Sequence, residues 1–194
     1  LTDPGALPTL AARPADAMLA SLERRHRAMV GQGRGSPVFA LALRWLRDRM
    51  PAPLPPSPVH GDFRLGNLMI DPSDVVAVLD WEIAHLGDPA EDLAWICLPP
   101  WRFGNIARPV AGLGTRAELF AAYERAGGAP VDAARVHWWE VLGSLRWGLG
   151  TAGMAEWFAS GRDPAPERAM IARRVSENEI DLLRALDGSE RHDR

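Results

Sequence analysis

His60-Gly61-Asp62-Phe63-Arg64-Leu65-Gly66-Asn67 places a carboxylate and a carboxamide five residues apart in a stretch with neither helical nor strand periodicity. Directly after it come Leu68-Met69-Ile70 and Val75-Val76-Ala77-Val78-Leu79, two short apolar runs separated by the turn-forming Asp71-Pro72-Ser73-Asp74. Asp80 closes the second run, thirteen residues after Asn67. The pattern predicts a small β-hairpin. A hairpin folds its two ends together, so Asp62, Asn67 and Asp80 should converge at one mouth despite their distance in sequence. Phosphoryl transfer needs such a set: one carboxylate to take the proton of the attacking hydroxyl, and a second carboxylate with a neutral oxygen to hold Mg²⁺ against nucleotide phosphates. H-x-D-x₄-N followed by an apolar strand and an aspartate is a specific signal for that chemistry.

Upstream, Met18, Leu19, Leu22, Met29 and Val30 recur at helical spacing and predict a helix over 15–30. Gly31-Gln32-Gly33-Arg34-Gly35 follows no strand, which a phosphate-binding loop requires, and reads as a linker. Ser36-Pro37 then supplies a cap and a first-turn proline for a second helix with the stripe Phe39, Ala42, Leu43, Leu46 and Met50. Five prolines between Pro51 and Pro58 forbid its continuation, so the chain enters Val59-His60 extended. Everything after Asp88 reads helical. Asp88 with Glu91, and Thr115 with Glu118, have capping-box spacing, and Gly127-Gly128 is the stop for the second of these helices. Trp138, Leu142, Leu145 and Leu149 mark a long stripe in which Gly143 and Gly148 would admit a close neighbour. A last helix is expected from Pro164 to Leu186, ended by Gly188.

The 194 residues suffice for one domain, and an apolar content of 47% can build a core. A net charge of −3, from 22 basic and 25 acidic side chains without a single-sign stripe, argues against nucleic acid as a partner. No apolar run approaches the ~20 residues that span a bilayer, so no membrane partner is expected. Cys97, alone in an apolar stretch, reads as a small buried thiol and points to a reducing, cytoplasmic setting. All the basic residues are arginine, so chemistry that needs a lysine must obtain it elsewhere.

The segments His60-Gly61-Asp62-Phe63-Arg64-Leu65-Gly66-Asn67-Leu68-Met69-Ile70-Asp71 and Val75 to Leu98 resemble the aminoglycoside phosphotransferase and choline kinase superfamily, nearest to the phosphotransferases associated with acyl-CoA dehydrogenases. The strong match covers His60 to Leu98. The resemblance implies an α+β, mostly helical fold, the C-terminal lobe of a protein-kinase-like architecture with a small hairpin beside the catalytic loop. It implies Asp62 as catalytic base, Asn67 and Asp80 as Mg²⁺ ligands, and His60 as a brace of the loop. Arg64 stands where related kinases carry a lysine and is expected to neutralise the phosphoryl group in transfer. Asp88 and Asp92 are expected to support structure, Asp92 by a hydrogen bond to the catalytic loop. Trp81-Glu82 replaces the Phe-Gly of protein kinases, so no activation-loop switching is carried over. The family's nucleotide site also uses an N-terminal β-lobe with a lysine. No room exists for it here, and it is expected before Leu1.

The expected organisation is lead-in helices and proline-rich connector at 1–58, catalytic segment at 59–98, helical acceptor-binding subdomain at 99–188 and polar tail at 189–194. The function implied is transfer of the γ-phosphoryl of ATP or GTP to a hydroxyl of a small molecule, with little activity from this chain alone. The surface facing the missing lobe should be apolar enough to favour self-association. Two other readings stand beside it: a metal-dependent phosphohydrolase with His60, Asp62, Asp80 and His85 as ligands, and a non-catalytic, pseudokinase-like binding module. His85 reads more simply as a hydrogen-bonded loop histidine. Tyr123, Trp138, Trp139, Glu140, Arg146 and Trp157 are the expected acceptor-pocket residues, with Glu140 and Glu156 suited to an aminoglycoside. Most tryptophans read as core, Trp101 being the exception considered for a ligand contact.

Overall fold

In the computed structural model, residues 9–72 and 74–188 are described. The chain opens with α1 (Ala15–Gly31) and α2 (Pro37–Asp48). Ser36 Oγ accepts the Phe39 N–H and Pro37 occupies the first turn, so the second helix starts where its sequence says it must. The prolines after Met50 carry the chain extended into β1 (Ser57–Val59). A 3₁₀ turn, Leu65–Asn67, leads into β2 (Leu68–Ile70), which pairs antiparallel with β3 (Val75–Val78). The register slips by one residue between Met69 and Ile70.

A strand that the sequence did not announce, β4 (His85–Gly87), pairs antiparallel with β1, Val59 opposite His85 and Ser57 opposite Gly87. That pairing closes the catalytic segment at its base. The loop before the hairpin and the turn after it therefore leave the same small sheet side by side. β4 has one apolar residue between a histidine and a glycine, too little for a period-2 signal.

Downstream lie α3 (Ala90–Trp95), α4 (Arg116–Arg125), α5 (Ala133–Ala159), α6 (Pro166–Ala172) and α7 (Val175–Asp187). The Thr115–Glu118 capping box forms in both directions, and Asp132 caps α5. Two expectations are corrected. Residues 99–114 are not helical beyond a 3₁₀ turn, Pro99–Trp101, because Pro109 and left-handed backbone at Phe103, Gly104, Ala111 and Gly112 interrupt any ladder. The last helix is two, broken at Arg173-Arg174, which lets both pieces pack on α5. Gly188 ends α7 in the left-handed conformation.

The core gathers Phe39, Leu46, Val136, Trp138, Leu142, Leu145, Leu149 and Leu182 around α5. A β-carbon on Gly148 would stand 2.8 Å from the Phe39 ring, so glycine is what lets α2 lie this close to α5. The hairpin, in contrast, exposes Met69, Ile70, Val75, Val76, Leu79 and Trp81. Among the described residues no helix is long and apolar enough to cross a membrane.

Candidate active site

The catalytic segment is held from behind by a buried carboxylate. Asp92, on α3, accepts the His60 N–H at 2.7 Å and the Gly61 N–H at 2.9 Å. Burial pushes the Asp92 carboxyl above the usual range, although these two N–H groups pull the other way. Gly61 has φ +82°, and a β-carbon there would stand 3.1 Å from the Ile83 carbonyl oxygen, so this bend suits glycine. The His60 ring spans the loop: Nδ1 receives the Asp62 N–H at 3.1 Å and Nε2 donates to the Leu79 carbonyl at 2.8 Å. Those partners fit the neutral ring protonated at Nε2.

Asp62 is the focus of the site. Its Oδ2 accepts from Asn67 Nδ2 at 2.9 Å and from Arg64 Nε at 3.2 Å, and its Oδ1 accepts from the Trp95 indole at 2.7 Å. Asn67, buried, also donates Nδ2 to the Asp62 carbonyl at 2.9 Å. Both amide hydrogens are thus committed, and the carbonyl oxygen is the end left for a cation. The Leu79 N–H donates to the Asn67 carbonyl at 2.8 Å, so Asp80 follows directly on a backbone contact with Asn67. Asp80 is exposed and sits at φ +67°, a left-handed conformation uncommon for aspartate and the kind of local strain that gathers at functional sites. A carboxylate beside a carboxamide oxygen is a hard-oxygen donor set of the kind Mg²⁺ takes. The hairpin therefore brings Asp62, Asn67 and Asp80 to one end, with the side chains of the first two in direct contact.

A second layer joins α3 and α5 to the loop. Arg146 donates Nη2 to the Gly61 carbonyl at 2.8 Å and Nη1 to Glu91 Oε1 at 2.9 Å, and its guanidinium lies 3.8 Å from the centre of the Trp95 ring. Glu91 Oε2 meets His85 Nε2 at 3.0 Å, while His85 Nδ1 lies 3.1 Å from the Ile83 carbonyl. Burial alone would lower the His85 pKa, but the hydrogen bonds to Glu91 and Ile83 outweigh it and hold the ring above its ordinary value. Glu91 is accordingly no capping-box partner. Asp88 does accept the Ala90 N–H at 3.0 Å, yet its other oxygen binds Arg135 Nε at 2.6 Å and the Trp139 indole at 2.8 Å. It ties α3 to α5.

Three further expectations change. Trp138 and Trp139 are core residues. Glu140 is buried against Arg116 at 2.7 Å and Glu156 pairs with Arg34 at 2.6 Å, so neither waits for a cationic ligand. Burial would raise the Glu140 carboxyl, but His137 and Arg116 hold it below the usual range. The ligand set His60, Asp62, Asp80 and His85 is not assembled, since both ring nitrogens of each histidine are engaged. Trp95 is the site residue that sequence reasoning missed: it sits in an apolar stretch, and nothing local marks its N–H for Asp62.

This arrangement defines the C-terminal lobe of a kinase-like phosphotransferase fold. The chain belongs to the phosphotransferase enzyme family, whose profile matches residues 3–139. It is 45% identical over 64 residues to acyl-CoA dehydrogenase family member 10 of Mus musculus, covering 32% of this chain and 6% of that protein. It is 33% identical over 90 residues to family member 11 of Pongo abelii, covering 41% and 11%. Among solved structures, a putative aminoglycoside phosphotransferase of Ralstonia eutropha superposes with a TM-score of 0.69 at 22% identity, over 91% of this chain and 57% of that one. A thermostable mutant of another aminoglycoside phosphotransferase gives 0.53 at 16%, over 88% and 51%. The chain thus spans a small part of its curated relatives and about half of the solved ones.

Proposed function

We propose that this chain is the catalytic lobe of a small-molecule kinase that moves the γ-phosphoryl of ATP or GTP onto a substrate hydroxyl. The observation that carries the reading is the Asp62 carboxylate with its three N–H donors. Oδ2 spends both lone-pair directions on Asn67 and Arg64, whereas Oδ1 accepts only from Trp95. Oδ1 keeps one free direction and is the atom that takes the hydroxyl proton. Asp62 thereby orients the nucleophile and receives its proton as the new O–P bond forms.

Asn67 through its carbonyl oxygen and Asp80 through its carboxylate would hold Mg²⁺, which when bound neutralises phosphate charge. Arg64 commits only Nε to Asp62, so its terminal nitrogens can meet the phosphoryl oxygens. Gly66 makes room for that side chain, since a β-carbon there would collide with Arg64 Nη1. The site works by positioning and charge, with no covalent intermediate. The absence of lysine from the chain implies that the nucleotide grip lies outside it, and the chain alone should show at most trace turnover.

The test is phosphoryl transfer by the full-length protein from radiolabelled ATP and Mg²⁺ to a panel of hydroxyl compounds. Asp62→Asn should lower kcat by about 10²–10⁴-fold with nucleotide affinity retained. Near-normal kcat would show that Asp62 is not the base.

A further inference from the structure

Between α1 and α5 lies an open cleft of about 320 Å³ lined by Arg13, Ala17, Met18, Ser21, Leu22 and Arg146, with Ala12 at its edge. We propose that this cleft is the subsite for an anionic group of the acceptor, a carboxylate or phosphate on the hydroxyl compound that Asp62 serves, with Arg13 as its principal cation. The proposal rests on the kinase reading for the word acceptor. The anion site itself stands on the cleft.

Every charged side chain lining the cleft is positive, and its other polar side chain is the Ser21 hydroxyl, a ready donor. Arg13 is exposed, and its guanidinium makes no ion pair or hydrogen bond among the described residues. Its backbone is not loose: the Arg13 N–H donates to the Leu86 carbonyl at 2.9 Å, and Leu86 donates back to Ala11 at 2.9 Å. The cation is thus mounted on the sheet that closes the catalytic segment. Arg146, on α5, also lines the cleft. Its bonds to Glu91 and Gly61 use two of its five N–H donors, and the bond to the Gly61 carbonyl puts the cleft one residue from Asp62. Glu91 divides its two oxygens between Arg146 at 2.9 Å and His85 at 3.0 Å, and that contact with Glu91 holds the His85 pKa above its ordinary value despite burial.

No carboxylate lines the cleft, and several elsewhere in the lobe are already partnered. Asp88 is taken by Arg135, Glu140 by Arg116, Glu156 by Arg34, and Asp92 by two backbone N–H groups. An acceptor bearing several ammonium groups would meet arginine where it needs carboxylate. One bearing a carboxylate or phosphate would meet a guanidinium fork that fits it.

Calorimetric titration of the chain with glycerol 3-phosphate, an anionic hydroxyl probe, and with kanamycin, a polycationic one, tests the assignment. Glycerol 3-phosphate should bind the wild type and Arg44→Glu, a remote surface control, equally well. Its affinity should fall about tenfold to a hundredfold in Arg13→Gln and further in Arg13→Glu, the scale of one lost charge-assisted hydrogen bond. Kanamycin should not bind the wild type. Preferential binding of kanamycin, no binding of glycerol 3-phosphate, or affinity indifferent to both Arg13 variants would overturn the proposal. Retained binding with no phosphoryl transfer to any hydroxyl compound by the full-length protein would instead sink the kinase reading and leave the anion site standing.

Discussion

Two aspartates eight residues apart, Asp80 and Asp88, should respond to substitution in opposite ways. Asp88→Ala removes three contacts at once: the 3.0 Å cap on the Ala90 N–H, the 2.6 Å pair with Arg135 and the 2.8 Å bond from the Trp139 indole. Loss of a cap costs roughly 0.5–2 kcal/mol. Trp139 is 1% exposed, so its stranded N–H adds about 1–3 kcal/mol. Arg135 keeps its bond to the Ala52 carbonyl, which limits the cost of losing its carboxylate. These terms share one side chain and do not add fully, giving about 1.5–4 kcal/mol. At roughly 2–4 °C per kcal/mol for a domain of this size, Tm should fall by about 3–16 °C. Asp80→Gly, by contrast, relieves a left-handed backbone at φ +67°, and should leave Tm unchanged or raise it by an amount worth up to ~1 kcal/mol. In the full-length protein it should abolish the Mg²⁺ dependence of turnover, while Asp88→Ala retains that dependence below its melting temperature. Thermal melts of the chain and Mg²⁺-titrated turnover of the full-length protein decide it. An Asp88→Ala melt within a degree or two of wild type would refute the contact reasoning, and loss of the metal response in Asp88→Ala alone would refute the role given to Asp80.

Trp95→Phe keeps a ring beneath Arg146 but deletes the donor to Asp62 Oδ1. In the full-length protein kcat should drop about tenfold to a hundredfold while the KM for nucleotide holds, and an unchanged kcat would show that the indole does not position the base. The raised His85 pKa predicts a pH dependence whose sign follows from linkage. Its contribution to stability is complete below the unfolded histidine value near 6.5 and is lost as pH rises through the higher folded value. Melts of the chain from pH 6 upward should therefore show a decline that His85→Gln removes, and a slope identical in the variant would assign the effect to another group.

The parts whose physics is short-range were legible in the sequence. The spacing of Asp62, Asn67 and Asp80 on loop and hairpin, the proline start of α2, the reciprocal cap of Thr115 and Glu118, and the glycines on α5 that admit a close neighbour all depend on residues within a few positions or on one period. The partners of charged and polar side chains were settled only by tertiary structure. Glu91 has the spacing of a cap residue, yet it turns to Arg146, 55 positions away, because packing α3 on α5 buries its carboxylate where only a cation or a donor can satisfy it. Glu140 likewise meets Arg116 and leaves the ligand surface. The Trp95 indole reaches Asp62 across 33 positions, and β4 finds β1 although its sequence carries no strand period. A buried charge takes whatever partner the fold brings within hydrogen-bonding distance, and that choice has no periodicity to read.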